Sequence, residues 1–353
     1  VSKTMLNSFL EAYSKNIPRQ RSWSLIGPYG SGKSSFALFL KGLLSESTSL
    51  QYKIASKKLL ELDKSLYKKH QKLTSGSDGF LTILLTGSMG PIEEKIYESS
   101  LKSFLELDIE PKYKKRISKV YSTKPSKVNS ELIFSLLGDI EDALVSSSKN
   151  IKGITVVIDE LGKFVEYAGR KRVEGDIYIL QELAERTVTP SKIQLSLVVM
   201  LHQSIEHYAK DFDQTTKNEW LKIGQRFEEV SFLENIEQSV RIVSKAVIHN
   251  FNASQLDKLQ KRSNKILKVL DNQNSLPGQL NKEDAEGLFL NCYPLHPITA
   301  IILPLLSQKL AQNERTLFSF LGSSETHGFQ SLIEEKNLNE YIFPSSLYDY
   351  FIS

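Results

Sequence analysis

"GPYGSGKSS", residues 27–35, lies between a short apolar run at Ser22–Ile26 and a longer one at Phe36–Leu44. The first run reads as a strand and the second as a helix, so the glycine-rich stretch is the turn that joins them. It fits the pattern G-x-x-x-x-G-K-[ST], with the required positions at Gly27, Gly32, Lys33 and Ser34 and a further glycine at Gly30. Glycine tolerates positive φ, which lets successive N–H groups turn toward one anion at the N-terminus of the following helix. Pro28, Tyr29 and Ser31 fill the loop. Lys33 brings an ammonium for the β and γ phosphates, Ser34 a hydroxyl for Mg2+, and Ser35 a poorer substitute for it. These residues predict a phosphate clamp, a P-loop or Walker A motif, rather than a plain flexible turn.

A clamp that hydrolyses a nucleotide also needs acidic partners, and "ITVVIDELGKF" at 154–164 supplies them. Asp159 ends an apolar strand, where it can organise Mg2+ beside Ser34, and Glu160 follows as a candidate general base in the manner of a Walker B pair. The blander reading of such a pair is the polar start of a loop or a helix cap. Two matches in the right order favour the functional one.

Strand-like runs recur at 22–26, 80–86, 154–158, 194–201 and 230–233, with helical stretches between them. Short β-branched runs, apolar on both faces and alternating with helices, predict an α/β fold. Its expected form is a P-loop NTPase parallel sheet with helices on both faces. From about residue 235 the apolar spacing is helical throughout, as in "SVRIVSKAVIHNF" and "PITAIILPLLSQKL". The expected organisation is therefore a core at 1–234, then a helical lid and the start of a further helical region at 235–353. Two segments within the core read as insertions, near 46–76 and 107–130. The first carries a helical pattern across "KKLLELDKSLYKKHQKL".

The 353 residues are 40% hydrophobic and 24% charged, with a formal net charge of +4 and one cysteine, Cys292. A single thiol excludes an internal disulfide and a Cys-based zinc site, and suits a reducing cytoplasm. No apolar run approaches the roughly 20 residues of a membrane helix, so no membrane partner and a cytoplasmic location are expected. The chain opens on "VSKTM" and closes on "LYDYFIS" within an amphipathic pattern, which suggests a piece of a longer protein. Apart from His202, the histidines at 70, 207, 249, 296 and 327 show no ligand spacing.

The order of clamp, acidic strand, a fourth strand ending "LVVMLHQS" and then "GQRFEEVSF" resembles an AAA plus ATPase. The resemblance implies bound ATP and Mg2+, hydrolysis, and work as a homo-oligomer or with other subunits of a larger complex. It also implies a water-positioning polar residue at the tip of the fourth strand, matched by His202 or Gln203, though a histidine closing a strand is the plain alternative. An arginine ahead of the fifth strand that reaches a neighbouring subunit's γ phosphate is matched by Arg226, which can equally pair with Glu228 or Glu229. A lid arginine on the same nucleotide is matched by Arg315 in "AQNERTLFSFL", with Glu314 or Glu325 as alternative partners. The larger string "YPLHPITAIILPLL", "QNERTLFSFL", "LYDYF" is similar to the ATPase region of large BREX-type bacterial anti-phage proteins. That implies a setting in bacterial defence, in which ATP hydrolysis would drive assembly or signalling. A slow-turnover nucleotide-gated switch and a DNA-remodelling motor remain as alternatives.

The acid-free run Lys112–Lys127 contains Lys114, Lys115, Arg116, Lys119 and Lys124, with Tyr113 and Tyr121 interleaved. It fits either a nucleic-acid groove, with lysines on phosphates and tyrosines on bases, or a solvated face. "ELGKFVEYAGRKR" at 160–172 similarly reads as a solvated basic turn or a loop beside the nucleotide.

Overall fold

The computed structural model describes residues 2–14, 20–28, 31–122, 128–171, 178–208, 214–232, 236–273, 275–277, 280, 282–310, 317–337 and 340–352. The chain divides into two compact units, Val1–Gly27 with Gly32–Phe232, and Pro28–Ser31 with Leu233–Ser353.

In the first unit the order begins α1 (Ser2–Ser14), β1 (Ser22–Ile26), α2 (Lys33–Leu44), α3 (Leu50–Leu62), α4 (Lys64–Thr74) and β2 (Leu81–Thr86). It continues with α5 (Ile92–Glu106), α6 (Pro111–Tyr121), α7 (Ser130–Ser146), β3 (Gly153–Asp159), α8 (Leu161–Lys171) and α9 (Tyr178–Val188). It closes with β4 (Gln194–Leu201), α10 (Ile205–Tyr208), α11 (Gln214–Gly224) and β5 (Glu228–Ser231). The strands form one parallel sheet in the order β2-β3-β4-β1-β5. β4 thus lies between the strand that feeds the glycine loop and the strand that ends in Asp159.

Successive side chains of a strand point to opposite faces, and both faces here are apolar. Leu195, Leu197, Val199 and Leu201 of β4 join Ile154, Val156 and Ile158 of β3 in a core built with α5, α7 and α9. Val198 and Met200 join Trp23, Leu25 and Val157 in a second core with α1, α2, α3 and α4. The central strands are therefore buried on both sides, which explains why they read as unbroken apolar runs rather than alternating ones.

The helical pattern across residues 57–73 does not form a single helix. Asp63 stops it, its carboxylate accepting from the backbone of Ser65 at 2.9 Å and Leu66 at 3.1 Å and so capping a new helix, α4. The resulting pair buries Leu59 and Leu66 in the core beneath α2.

The second unit is helical: α12 (Ile236–Ala246), α13 (Ala253–Asn272), α14 (Lys282–Asn291), α15 (Pro297–Leu310), α16 (Leu317–Gly322), α17 (Phe329–Glu335) and α18 (Pro344–Ile352). Its core gathers Phe289, Leu303, Phe320 and Leu347 around the buried thiol of Cys292. An isolated parallel bridge pairs Leu295 with Ile342. Among the described residues no helix is long and apolar enough to cross a membrane.

Candidate nucleotide site

All five strands run the same way, so the chain leaves β1, β3 and β4 at one edge of the sheet, and the candidate residues follow directly from that. Gly27 lies one residue beyond β1, and its N–H donates to the Leu201 carbonyl at the end of β4, at 3.1 Å. Phe232 closes in from the other side, its N–H donating to the Ile26 carbonyl at 2.5 Å. A Cβ on Gly27 would collide with the Phe232 carbonyl, so only glycine lets β1 turn here. At the other end of the loop Gly32 has φ 88°, a left-handed conformation, and caps α2. Ser31 donates from its backbone to Pro28 at 3.3 Å, and Ser34 and Ser35 are exposed in the first turn of α2. Tyr29 and Gly30 lie outside the described residues.

Lys33 is buried and donates from Nζ to the Gly27 carbonyl at 2.5 Å, closing the loop on itself. Burial pushes its ammonium down to about 8, an effect that the nearby carboxylates of Asp159 and Glu160 partly offset. The lysine and the acidic pair, far apart in sequence, therefore share one electrostatic neighbourhood.

Asp159 is the last residue of β3, pairs in register with Thr86 of β2, and is 8% exposed. Its Oδ1 accepts from the Glu160 N–H at 2.9 Å, and its carbonyl accepts from Gly87 at 2.7 Å. Glu160 has φ 53°, in the left-handed region that non-glycine residues rarely adopt. A Cβ at Gly87 would collide with the Glu160 carbonyl, so Gly87 makes room for this turn. Glu160 then pairs with Lys163, 2.6 Å between Oε2 and Nζ.

His202 follows β4 and belongs to the same neighbourhood. Burial first, then the positive charge of Lys33, push its imidazolium down to about 4, against the opposing pull of Glu160 and Asp159. The ring is therefore neutral near pH 7, able to donate to or accept from a water without carrying charge. Gln203 follows it and is half-buried. The structure thus brings Gly27, Gly32, Lys33, Asp159, Glu160 and His202 together at one sheet edge. Sequence reasoning missed the contributions of Gly87 and Phe232. The glycine directly after a strand in "LLTGSMG" was the available signal for Gly87, while Phe232 carried none.

Arg226 is elsewhere. It precedes β5, whose register places Glu228 opposite Trp23, so it stands by the start of β1 rather than its end. β1 has 5 residues, so about 17 Å of strand separates that end from the glycine loop. Its guanidinium bridges Glu185 at 3.0 Å rather than Glu228 or Glu229. Glu228 instead accepts from Ser8 Oγ and from Trp23 Nε1 at 3.0 Å. Arg315 lies outside the described residues, as do Lys124 and Lys127.

The rest of the described basic run forms α6, and its Tyr121 is buried away from any base. Tyr121 is buried and donates to Asp139 Oδ2 at 2.6 Å, while Tyr113 donates to the Ser146 carbonyl. Lys112, Lys115 and Lys119 are exposed at helical spacing on one face.

Two archaeal structures are similar to this chain. One is the Aeropyrum pernix ORC2 protein in ADPNP–ADP complexes, at 11% identity and TM-score 0.44, covering 94% of this chain and 66% of that one. The other is the Aeropyrum pernix ORC1 protein in complex with DNA, at 13% identity and TM-score 0.34, covering 95% of this chain and 64% of that one. The chain spans just under two thirds of the length of each. Neither likeness assigns a residue or an activity to it. No family model matches, and no curated protein does.

Proposed function

We propose that this chain is an AAA plus type module that binds ATP with Mg2+ and hydrolyses it. The observation that carries the reading is the convergence of Lys33, Asp159, Glu160 and His202 on the glycine loop, from three different strands, at the carboxyl edge of a parallel sheet. Crevices outside the carboxyl ends of such strands are where α/β folds bind ligands.

The donor set suits the cation: the Ser34 hydroxyl and the Asp159 carboxylate are hard oxygen ligands of the kind Mg2+ takes, together with water and phosphate oxygens. Bound there, the ion would supply Lewis-acid neutralisation of the phosphate oxygens. The remaining steps belong to the chain. Main-chain N–H groups of the loop and first turn of α2 receive the phosphates. The Lys33 ammonium leaves the Gly27 carbonyl for the β and γ oxygens. Glu160 takes a proton from water as the water oxygen attacks the γ phosphorus and the bond to ADP breaks, with neutral His202 or Gln203 orienting that water. Arg226, remote from its own clamp, would serve a neighbouring subunit's nucleotide, and the lid-arginine role of Arg315 rests on the sequence resemblance alone. A defence role rests on the sequence resemblance alone.

A second reading, the slow-turnover switch, is favoured by the Glu160–Lys163 pair, which ties up the base. Calorimetry and phosphate release test both. Wild-type protein binds ATP with Mg2+, Lys33→Ala loses binding, and Glu160→Gln binds but does not turn over. No heat for any nucleoside triphosphate on folded protein overturns the nucleotide reading. Unchanged turnover in Glu160→Gln overturns the base assignment.

A further inference from the structure

Helix α13 runs for 20 residues, about 30 Å, and carries its positive charge on one side. At about 100° per residue, Lys258, Lys261, Arg262, Lys265 and Lys268 fall within an arc of about 120°, all exposed, and no acid of the helix shares that arc. Leu259, Ser263, Leu267 and Leu270 are buried on the other side. The two acids of the helix lie outside the arc and are engaged, Asp257 by Lys261 at 2.7 Å and Asp271 by Lys282 at 3.9 Å. Lys258 with Arg262, and Lys261 with Lys265, are like-charged pairs one turn apart, an arrangement that weakens a helix. A polyanion laid along the face would relieve it.

A row of aromatic rings borders this face. Phe251, just ahead of the Asn252 cap of α13, lies 4.9 Å from His249 and 5.7 Å from Tyr293 between ring centres. Tyr293 lies 5.5 Å from Tyr341, Tyr341 5.3 Å from His296, and His296 stacks on Phe343 at 5.2 Å. The backbone beneath the rings is tied, the His296 N–H donating to the Ile342 carbonyl at 3.0 Å and the Ile342 N–H to the Pro294 carbonyl at 2.8 Å. Arg262 links the row to the basic face: burial pushes the Tyr341 hydroxyl up, and the Arg262 guanidinium pulls it back. Phe343 ends the row and is 51% exposed.

We infer that this face of the helical unit binds single-stranded DNA, with the lysines of α13 on successive phosphates and Phe343 stacked on a base. The inference stands apart from the nucleotide reading and concerns the other unit of the chain. Ammonium groups on flexible stems track a backbone, and an exposed ring accepts the π-face of any base, so the face takes a strand without reading its sequence. A duplex keeps its bases stacked inside and leaves Phe343 without a partner, which favours the single strand. Cations and a ring face engage phosphate and base alone and need no 2′-hydroxyl, so the deoxy strand suffices.

The test is fluorescence anisotropy of a labelled oligothymidylate with the whole 353-residue chain, free of nucleotide, over a range of salt. It compares wild type, the triple variant Lys258→Gln/Lys265→Gln/Lys268→Gln, Phe343→Ala and Phe343→Trp, with thermal melts confirming the fold. Wild type binds, and the triple variant flattens the dependence of log affinity on log salt by about two units. Phe343→Ala weakens binding about tenfold at fixed salt with that slope unchanged, and Phe343→Trp restores it. No binding by wild type, an unchanged slope in the triple variant, or unchanged affinity in Phe343→Ala overturns the inference, as does a duplex or an oligouridylate bound more tightly. A loss confined to Lys112→Glu/Lys115→Glu/Lys119→Glu overturns it too, because the strand then lies on α6. The strand is bound without nucleotide, so failure of the nucleotide reading leaves this measurement unaffected.

Discussion

Nucleotide binding should draw a proton onto Lys33, and the amount follows from its surroundings. In the free protein burial pushes the ammonium down to about 8, so near pH 7, 8 and 9 it is about 90%, 50% and 10% protonated. A triphosphate replaces the Gly27 carbonyl with anionic oxygens and pushes the group back up toward its ordinary lysine range, so the bound lysine is charged at all three values. Expected uptake is thus about 0.1, 0.5 and 0.9 protons per site at pH 7, 8 and 9. Phosphate itself is fully ionised at pH 8 and 9, its second ionisation lying near 6. His202, near 4, is neutral throughout. The assay is isothermal calorimetry with the non-hydrolysable triphosphate in buffers of different ionisation heat, whose slope gives protons taken up. Lys33→Arg, permanently charged, shows no uptake at any pH. The same lysine affects stability. Its folded value lies below its unfolded one, so the unfolded chain binds more protons between about 8 and 10.5, and the free protein becomes more stable as pH rises through that window. Uptake that stays flat from pH 7 to 9, or that persists in Lys33→Arg, would refute the account of Lys33.

Gly87→Ala forces the Glu160 turn to shift, and a displacement of about 1 Å at the base lowers kcat roughly a hundredfold with ADP binding retained; turnover within twofold of wild type sinks the role given to Gly87. Arg226→Ala removes an exposed bridge to Glu185, so urea unfolding changes by less than about 1 kcal/mol. If Arg226 serves a neighbouring site, turnover falls by about a thousandfold all the same, and mixing with Lys33→Ala protein restores part of it; no loss of turnover ends the shared-site reading. For the basic face of α6, reversing Lys112, Lys115 and Lys119 to glutamate should weaken duplex DNA binding. The salt slope should fall by about one unit for each lysine that meets a phosphate, measured by fluorescence anisotropy, and identical slopes exclude that face.

The order of the site was legible because its parts obey local rules. A glycine loop after a strand, a lysine and serine opening a helix, and two acids ending an apolar run each depend on neighbours in the chain. The helix break at Asp63 was legible in principle, since an aspartate before "KSL" is an N-cap, but the continuous apolar spacing on either side hid it. The ion pairs were not. Arg226 had two acids beside it in sequence and took Glu185 from α9 instead, because Glu228 was already engaged by Ser8 and Trp23.

From the chain alone come the alternation of strands and helices, the glycine loop, the acidic pair and the helical second half, because periodicity and backbone freedom are properties of consecutive residues. Only folding decided that β4 separates the loop strand from the acidic strand, that Gly27 and Gly87 are pressed against Phe232 and Glu160, and that Lys163 pairs with Glu160. Those outcomes depend on which surfaces meet across the sheet, and the distances and burial that set charge states exist only once they have met.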